Sequence, residues 1–305
     1  MPHSHNHHAH LRQLSTDPTN TTGIRERFLK TIRQRFKTVR GLIRKLVGYD
    51  EDRLHLAQDA TLVDGEDIER FSSREGKTQA FVRWLRERLD EELLEPIERK
   101  AVRNGEHWSA TYIRASYKQG WENGTQRLQN AGVSAEAVEE IFNLGVPQRQ
   151  LRRLYTRTYE NLQSVNEDAA DAVRDVLTEG LAEGINPRKM ARSLTKEVRT
   201  IQHTQAEVLA RTEVINSYST STLDRYERAG VDGVSVSGEF ATADDDRVCP
   251  ICESIEASEY AINEMREGTF TFESSDSEPD HLEGEYPIKP PVHPQCRCAI
   301  LPVIQ

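Results

Sequence analysis

Four cysteines occur in this 305-residue chain, and all of them lie between residues 249 and 298. They form Cys249-Pro-Ile-Cys252 and, after an acidic stretch, His293-Pro-Gln-Cys296-Arg-Cys298. Closely paired thiolates with an imidazole beside them suit a tetrahedral zinc ion. A C-x2-C knuckle puts Cys249 and Cys252 on one metal. If residues 296–298 are extended, Cys296 and Cys298 point to the same face and both can join. His293 is then a fifth donor for a four-ligand ion. Either the four cysteines bind and His293 hydrogen-bonds a thiolate, or His293 binds and one later cysteine is spare.

Four protein ligands leave no open position for water, so the expected site is structural, with one zinc ion. Binding would supply folding free energy on the order of 10 kcal/mol, in place of a core in a segment with few large apolar residues. The chain holds no nucleophile elbow, no phosphate-binding glycine loop and no HExxH run. The expected work is binding, and no enzyme activity is predicted.

The elements that must position these donors are mostly helical. Only 36% of residues are hydrophobic and 30% are charged, which suits helices better than one large core. Ile24, Phe28, Ile32, Phe36, Val39, Ile43 and Leu46 make one apolar stripe of an amphipathic helix over 24–47. That segment carries nine basic side chains and one acidic. Its cations, chiefly Arg25, Arg33, Arg40, Arg44 and Lys45, fit nucleic-acid phosphates, an anionic surface or an acidic partner. Packing on its own protein fits equally well. Residues 50–75 reverse the balance, with nine acidic and three basic side chains, and 50–77 read as a linker or a short solvated helix.

From 78 onward helical periodicity recurs: a pattern through Phe81, Leu85, Leu89, Leu93, Ile97 and Ala101, in which Pro96 kinks the helix or starts a new one and Gly105 ends it, then helices over 108–130, 134–144 and 166–183. Ala110, Ala115 and Gly120 in the 108–130 helix permit close helix approach. Arg149, Arg153 and Arg157 form a stripe best explained as a solvated face. Asn186-Pro187 is a helix start signal, and a last helix runs over 204–229. Past Gly230 the period changes to that of strands, and 231–305 carries sixteen acidic and four basic side chains.

The expected domains are a disordered His-rich tail over 1–23, the basic helix and acidic linker over 24–77, a helical body over 78–230 and a zinc module over 231–305. The fold class is mostly α: an elongated helical body with a small zinc-stabilised α+β C-terminal module. No run of apolar residues is long enough for a membrane helix, and no hydrophobic signal core is present.

Ala210-Arg211-Thr212-Glu213, the helix end at Gly230-Val231, and the Glu179-Gly180 to Asn186-Pro187 turn precede the cysteines. Together with Val248-Cys249-x2-Cys252 and Pro291-Val-His293-Pro-x-Cys296-Arg-Cys298, they resemble the phage Mu protein F and phage SPP1 minor head protein family. The resemblance covers residues 108–305. It implies a minor capsid or head-morphogenesis protein of a tailed virus, acting in procapsid assembly or at the portal vertex. The implied location is the virion, with host cytoplasm during assembly. The implied partners are portal, scaffold or major capsid protein, with viral genomic DNA as a further contact. The alternative is a zinc-dependent nucleic-acid-binding or processing factor.

Overall fold

The computed structural model describes residues 17–49, 74–133, 144–231, 233–243, 245–274 and 280–304. Six helices come first: α1 (Thr22–Arg44), α2 (Arg74–Leu89), α3 (Arg99–Arg103), α4 (Ala110–Asn130), α5 (Gly145–Ala182) and α6 (Pro187–Val231). Then follow β1 (Val236–Ala241), α7 (Pro250–Glu253), β2 (Glu259–Ala261), α8 (Ile262–Glu267), β3 (Thr269–Phe272), β4 (Gly284–Pro287) and β5 (Ala299–Ile304). The mostly α class with a C-terminal α+β module is thus observed. No described helix is long and apolar enough to cross a membrane.

The described chain falls into two compact units. One comprises Phe28–Ala101 and Arg157–Leu209. In it, α1 buries Phe28, Ile32, Phe36, Val39 and Ile43, the stripe its sequence predicts. Phe81, Leu85 and Leu89 of α2, Val173 and Leu177 of α5, and Met190, Leu194 and Val198 of α6 are likewise buried. Ion pairs skirt this core, including Arg35–Glu95 at 2.6 Å and Arg86–Asp171 at 3.2 Å.

The other unit is discontinuous in sequence: the N-terminal stretch up to Arg27, Val102–Thr156 and Ala210–Gln305. Here α4 lies against the second half of α6. A Cβ on Gly120 would stand 2.3 Å from the Tyr218 carbonyl oxygen. Ser116 Oγ donates to Val214 O at 2.6 Å, and Ser217 Oγ donates to Ile113 O at 2.9 Å. Small residues let the backbones approach, as the sequence predicts, and hydroxyls then bond across the seam.

Antiparallel strands in the order β2-β1-β5 complete this unit, with Phe240 opposite Ile300 and Ala241 opposite Ala299. Ile300 of β5 and Met265 of α8 cluster with Leu128, Leu223 and Tyr226. A second pairing, β3 with β4, sets Phe272 opposite Gly284.

Several elements differ from the sequence expectation. Helices expected over 166–183 and 204–229 are the ends of much longer ones, because residues 148–179 and 188–229 contain neither glycine nor proline. The turn between them forms as predicted. Gly184 takes φ +65°, Ile185 N–H bonds Gly180 O at 2.9 Å, and Asn186 Oδ1 accepts from Arg188 N–H at 2.9 Å. Of the two outcomes expected at Pro96, a kink or a new helix, the second is observed: the helix through Leu93 ends in a π-helical turn, Asp90–Leu94, and α3 begins at Arg99. Proline disfavours helix in the residue before it, and Glu95 takes φ 49°.

The polar tail expected over 1–23 is already structured from Asp17. Its carboxylate accepts from Thr22 N–H at 2.7 Å and Thr19 Oγ1 at 2.7 Å, which starts α1. Burial pushes the Asp17 carboxyl up, but these hydrogen bonds outweigh it and hold the group below its ordinary value. The histidine tract, residues 50–73 of the expected linker, residues 134–143 of the helix expected over 134–144 and the acidic residues 275–279 lie outside the described residues, and the linker's last residues, 74–77, open α2.

Candidate metal centre

Cys249 caps the short helix α7, with Pro250 at its first position. The cap geometry turns its sulfur back toward the helix, where it accepts from Cys252 N–H at 3.5 Å. One turn therefore presents both sulfurs of the knuckle. The other donors precede β5 rather than lying in it: residues 291–298 are irregular, and Gln295 adopts φ 70°. The extended geometry expected for Cys296 and Cys298 is thus corrected. A loop ending at β5 brings them to Cys252 instead.

All five donors meet, in two groups that share one residue. The ligand atoms of Cys249, Cys252 and His293 lie within 4.8 Å of one another, as do those of Cys252, Cys296 and Cys298. His293 Nε2 stands 3.0 Å from Cys249 Sγ and 3.2 Å from Cys252 Sγ, and Cys252 Sγ is 3.9 Å from Cys296 Sγ. Tetrahedral zinc with Zn–S near 2.3 Å requires sulfurs about 3.8 Å apart. The Cys252–Cys296 edge fits that figure, and the cluster could hold a metal ion.

His293 Nδ1 contacts the Pro294 carbonyl at 2.7 Å. A carbonyl can only accept, so Nδ1 carries a proton and donates to it, and Nε2 faces the thiols, where it can ligate a metal once it has lost its own proton. Burial works to lower the His293 pKa, yet the Cys249 hydrogen bond and the Cys296 charge raise it to about 9. Hydrogen bonding from Cys252 lowers Cys249 to about 4, against burial and with help from His293.

A paired carboxylate locks the two halves together. Arg297, between Cys296 and Cys298, donates from both terminal nitrogens to Asp245 at 2.6 and 2.7 Å. Arg247 adds bonds of 2.8 and 3.1 Å to the same carboxylate. These contacts hold the Asp245 carboxyl well below the usual carboxylate range. The aspartate run before Cys249 is visible in sequence, but its partner 52 residues later is not. Arg211 Nη1 donates to Gln295 O at 3.2 Å, so α6 is bonded to the ligand loop.

The cysteines also sit in an apolar cluster with Phe240, Ile251, Ile255, Phe272 and Val292. A metal would therefore supplement a small core rather than replace one.

Residues 171–301 match the family model described as Phage Mu protein F like protein. This stretch is similar to Phage Mu protein F. It begins within α5, contains all five donors and ends within β5. No curated protein and no solved structure matches the chain.

The basic residues expected to make contacts do not form one set. Arg25 lines a cavity of about 620 Å³ beside His293, with Arg211, Arg247, Arg297 and Asp17. Arg33 is paired with Glu207 at 3.7 Å, and Lys45 is exposed on the π-helical turn after α1. Arg40 and Arg44 line a separate cleft of about 580 Å³ with Arg188, Arg192, Lys196 and Arg199 of α6. The signal for these partners is their i, i+4, i+8 spacing. The charge excess of 24–47 points only at the α1 side.

Proposed function

We propose that the chain is a minor capsid or head-morphogenesis protein of a tailed virus, working in procapsid assembly or at the portal vertex. The observation that carries this is the Mu F-like segment enclosing the whole donor cluster. The metal in this reading is a single structural zinc ion. Three or four sulfurs with at most one imidazole make a soft donor set, and a closed one. The work is binding rather than catalysis: the zinc centre fixes the loop from Val292 to Cys298 and β5 behind it. The partners are portal, scaffold or major capsid protein. Because family membership speaks to role by analogy, the test must be direct.

Purified protein should contain about one zinc per chain and should co-sediment with portal assemblies or procapsids of the same virus. Chelation should abolish both zinc content and co-sedimentation. A protein free of metal that ignores portal, scaffold and capsid alike would overturn the proposal.

A further inference from the structure

Within the unit formed by Phe28–Ala101 and Arg157–Leu209, one cleft is lined almost wholly by cations. Arg40 and Arg44 come from α1, and Arg188, Arg192, Lys196 and Arg199 from α6. Ala191 and Thr195 complete the wall, and no acidic residue is among them. Among the described residues no carboxylate pairs with any of the six, whereas Arg33 and Arg35 on the same helix α1 have Glu207 and Glu95. Arg40 Nε is shut off from solvent with no hydrogen-bond partner. Burial, with Arg199 and Arg44 close by, also lowers the Arg40 pKa. Among the described residues, folding has gathered like charges here without neutralising them.

We infer that this cleft binds the phosphate backbone of duplex DNA, independently of the zinc centre. The lining discriminates among anionic ligands. A membrane-binding helix face needs large apolar or aromatic side chains, and an acidic peptide partner needs an apolar anchor. The cleft offers neither, since Ala191 is its only apolar residue. Five of the six cations are arginine, whose planar fork matches phosphate oxygens two at a time. Few uncharged donors and no aromatic ring line it, so base readout is absent and the contact is independent of sequence. Arg188, Arg192 and Lys196 repeat every fourth residue along α6, about 6 Å per step, which makes a row suited to a repeating charge.

The inference deepens the DNA contact of a head protein, but its test needs no portal or capsid. Its failure therefore leaves the assembly role standing. Full-length protein is titrated with a short fluorescent duplex of mixed sequence, and affinity is followed against salt. Six phosphate contacts give a log–log slope of about −5, so affinity falls roughly 10³-fold for a fourfold rise in salt. The R192Q/K196Q/R199Q variant should bring the slope to about −3, a loss of only about 60-fold over the same range. R33Q, which removes an arginine already paired with Glu207, should leave the slope unchanged. The triple variant should melt no lower than the parent, since it relieves repulsion, and this separates lost binding from lost folding. Equal slopes for parent and triple variant, or no duplex binding at low salt, overturn the inference. So does binding to anionic phospholipid vesicles in place of duplex.

Discussion

Cys252 is the only donor, among the described residues, that belongs to both groups of the metal cluster. Without Cys252 the two groups no longer share a ligand. We therefore expect Cys252→Ser to abolish metal binding. His293→Ala should do so as well, because its Nε2 faces two sulfurs and its Nδ1 is already committed to Pro294. With five donors for four positions, one of Cys296→Ser and Cys298→Ser should retain a full complement of metal and the other should not. Mass-spectrometric metal content per chain reads all four variants. Full metal content in His293→Ala would assign the site to the four cysteines and sink this ligand set. Donor types and spacing make the cluster legible in sequence. The choice among five donors is not, because it depends on a left-handed Gln295 and on the fork between Asp245 and Arg297.

At the scale of elements, the glycines of two helices separate packing from propensity. Gly120 is where α4 and α6 touch: an added Cβ would meet backbone, not a movable side chain, 2.3 Å away. Gly120→Ala should destabilise the protein by about 1–3 kcal/mol. Gly41 also sits inside a helix, yet nothing lies within 4 Å of its would-be Cβ. Gly41→Ala should therefore stabilise by about 0.5–1 kcal/mol through backbone entropy. Urea unfolding followed by helix circular dichroism gives both signs; a neutral or stabilising Gly120→Ala would refute the close approach. Local periodicity makes the buried stripe of α1 and the small-residue face of α4 legible. The continuity of α5 and α6 is legible only as missing glycine and proline. The β3–β4 pairing is hidden because its strands are four residues each and flank an acidic insertion. The cationic cleft is hidden for a different reason: its two walls lie more than 140 residues apart in sequence.

For the whole molecule, the decisive fact is that one unit is assembled from three separated stretches of chain. A linear division into tail, body and zinc module does not anticipate this, since sequence patterns report neighbours along the chain. Arg127 on α4 draws the three together. Its buried guanidinium donates to Ile300 O on β5 at 2.8 Å and to Pro18 O at 2.7 Å. Ile300 O also accepts from Tyr226 OH at 3.1 Å. Arg127→Met keeps much of the volume but leaves Pro18 O without this donor and Ile300 O with only the tyrosine. A buried group stripped of its partner costs about 1–3 kcal/mol, so we expect a loss near 2–3 kcal/mol in urea unfolding. Tyr226→Phe should cost less, because Arg127 still serves Ile300. The consequence reaches the metal: Ile300 follows Cys298 by two residues, so loosening β5 should speed zinc transfer to a chelator in Arg127→Met. An unchanged transfer rate in a variant that is measurably less stable would mean the ligand loop holds its metal without support from the helices. A rate that rises with the loss of stability would make α4, which lies outside the Mu F-like segment, part of what keeps that segment folded.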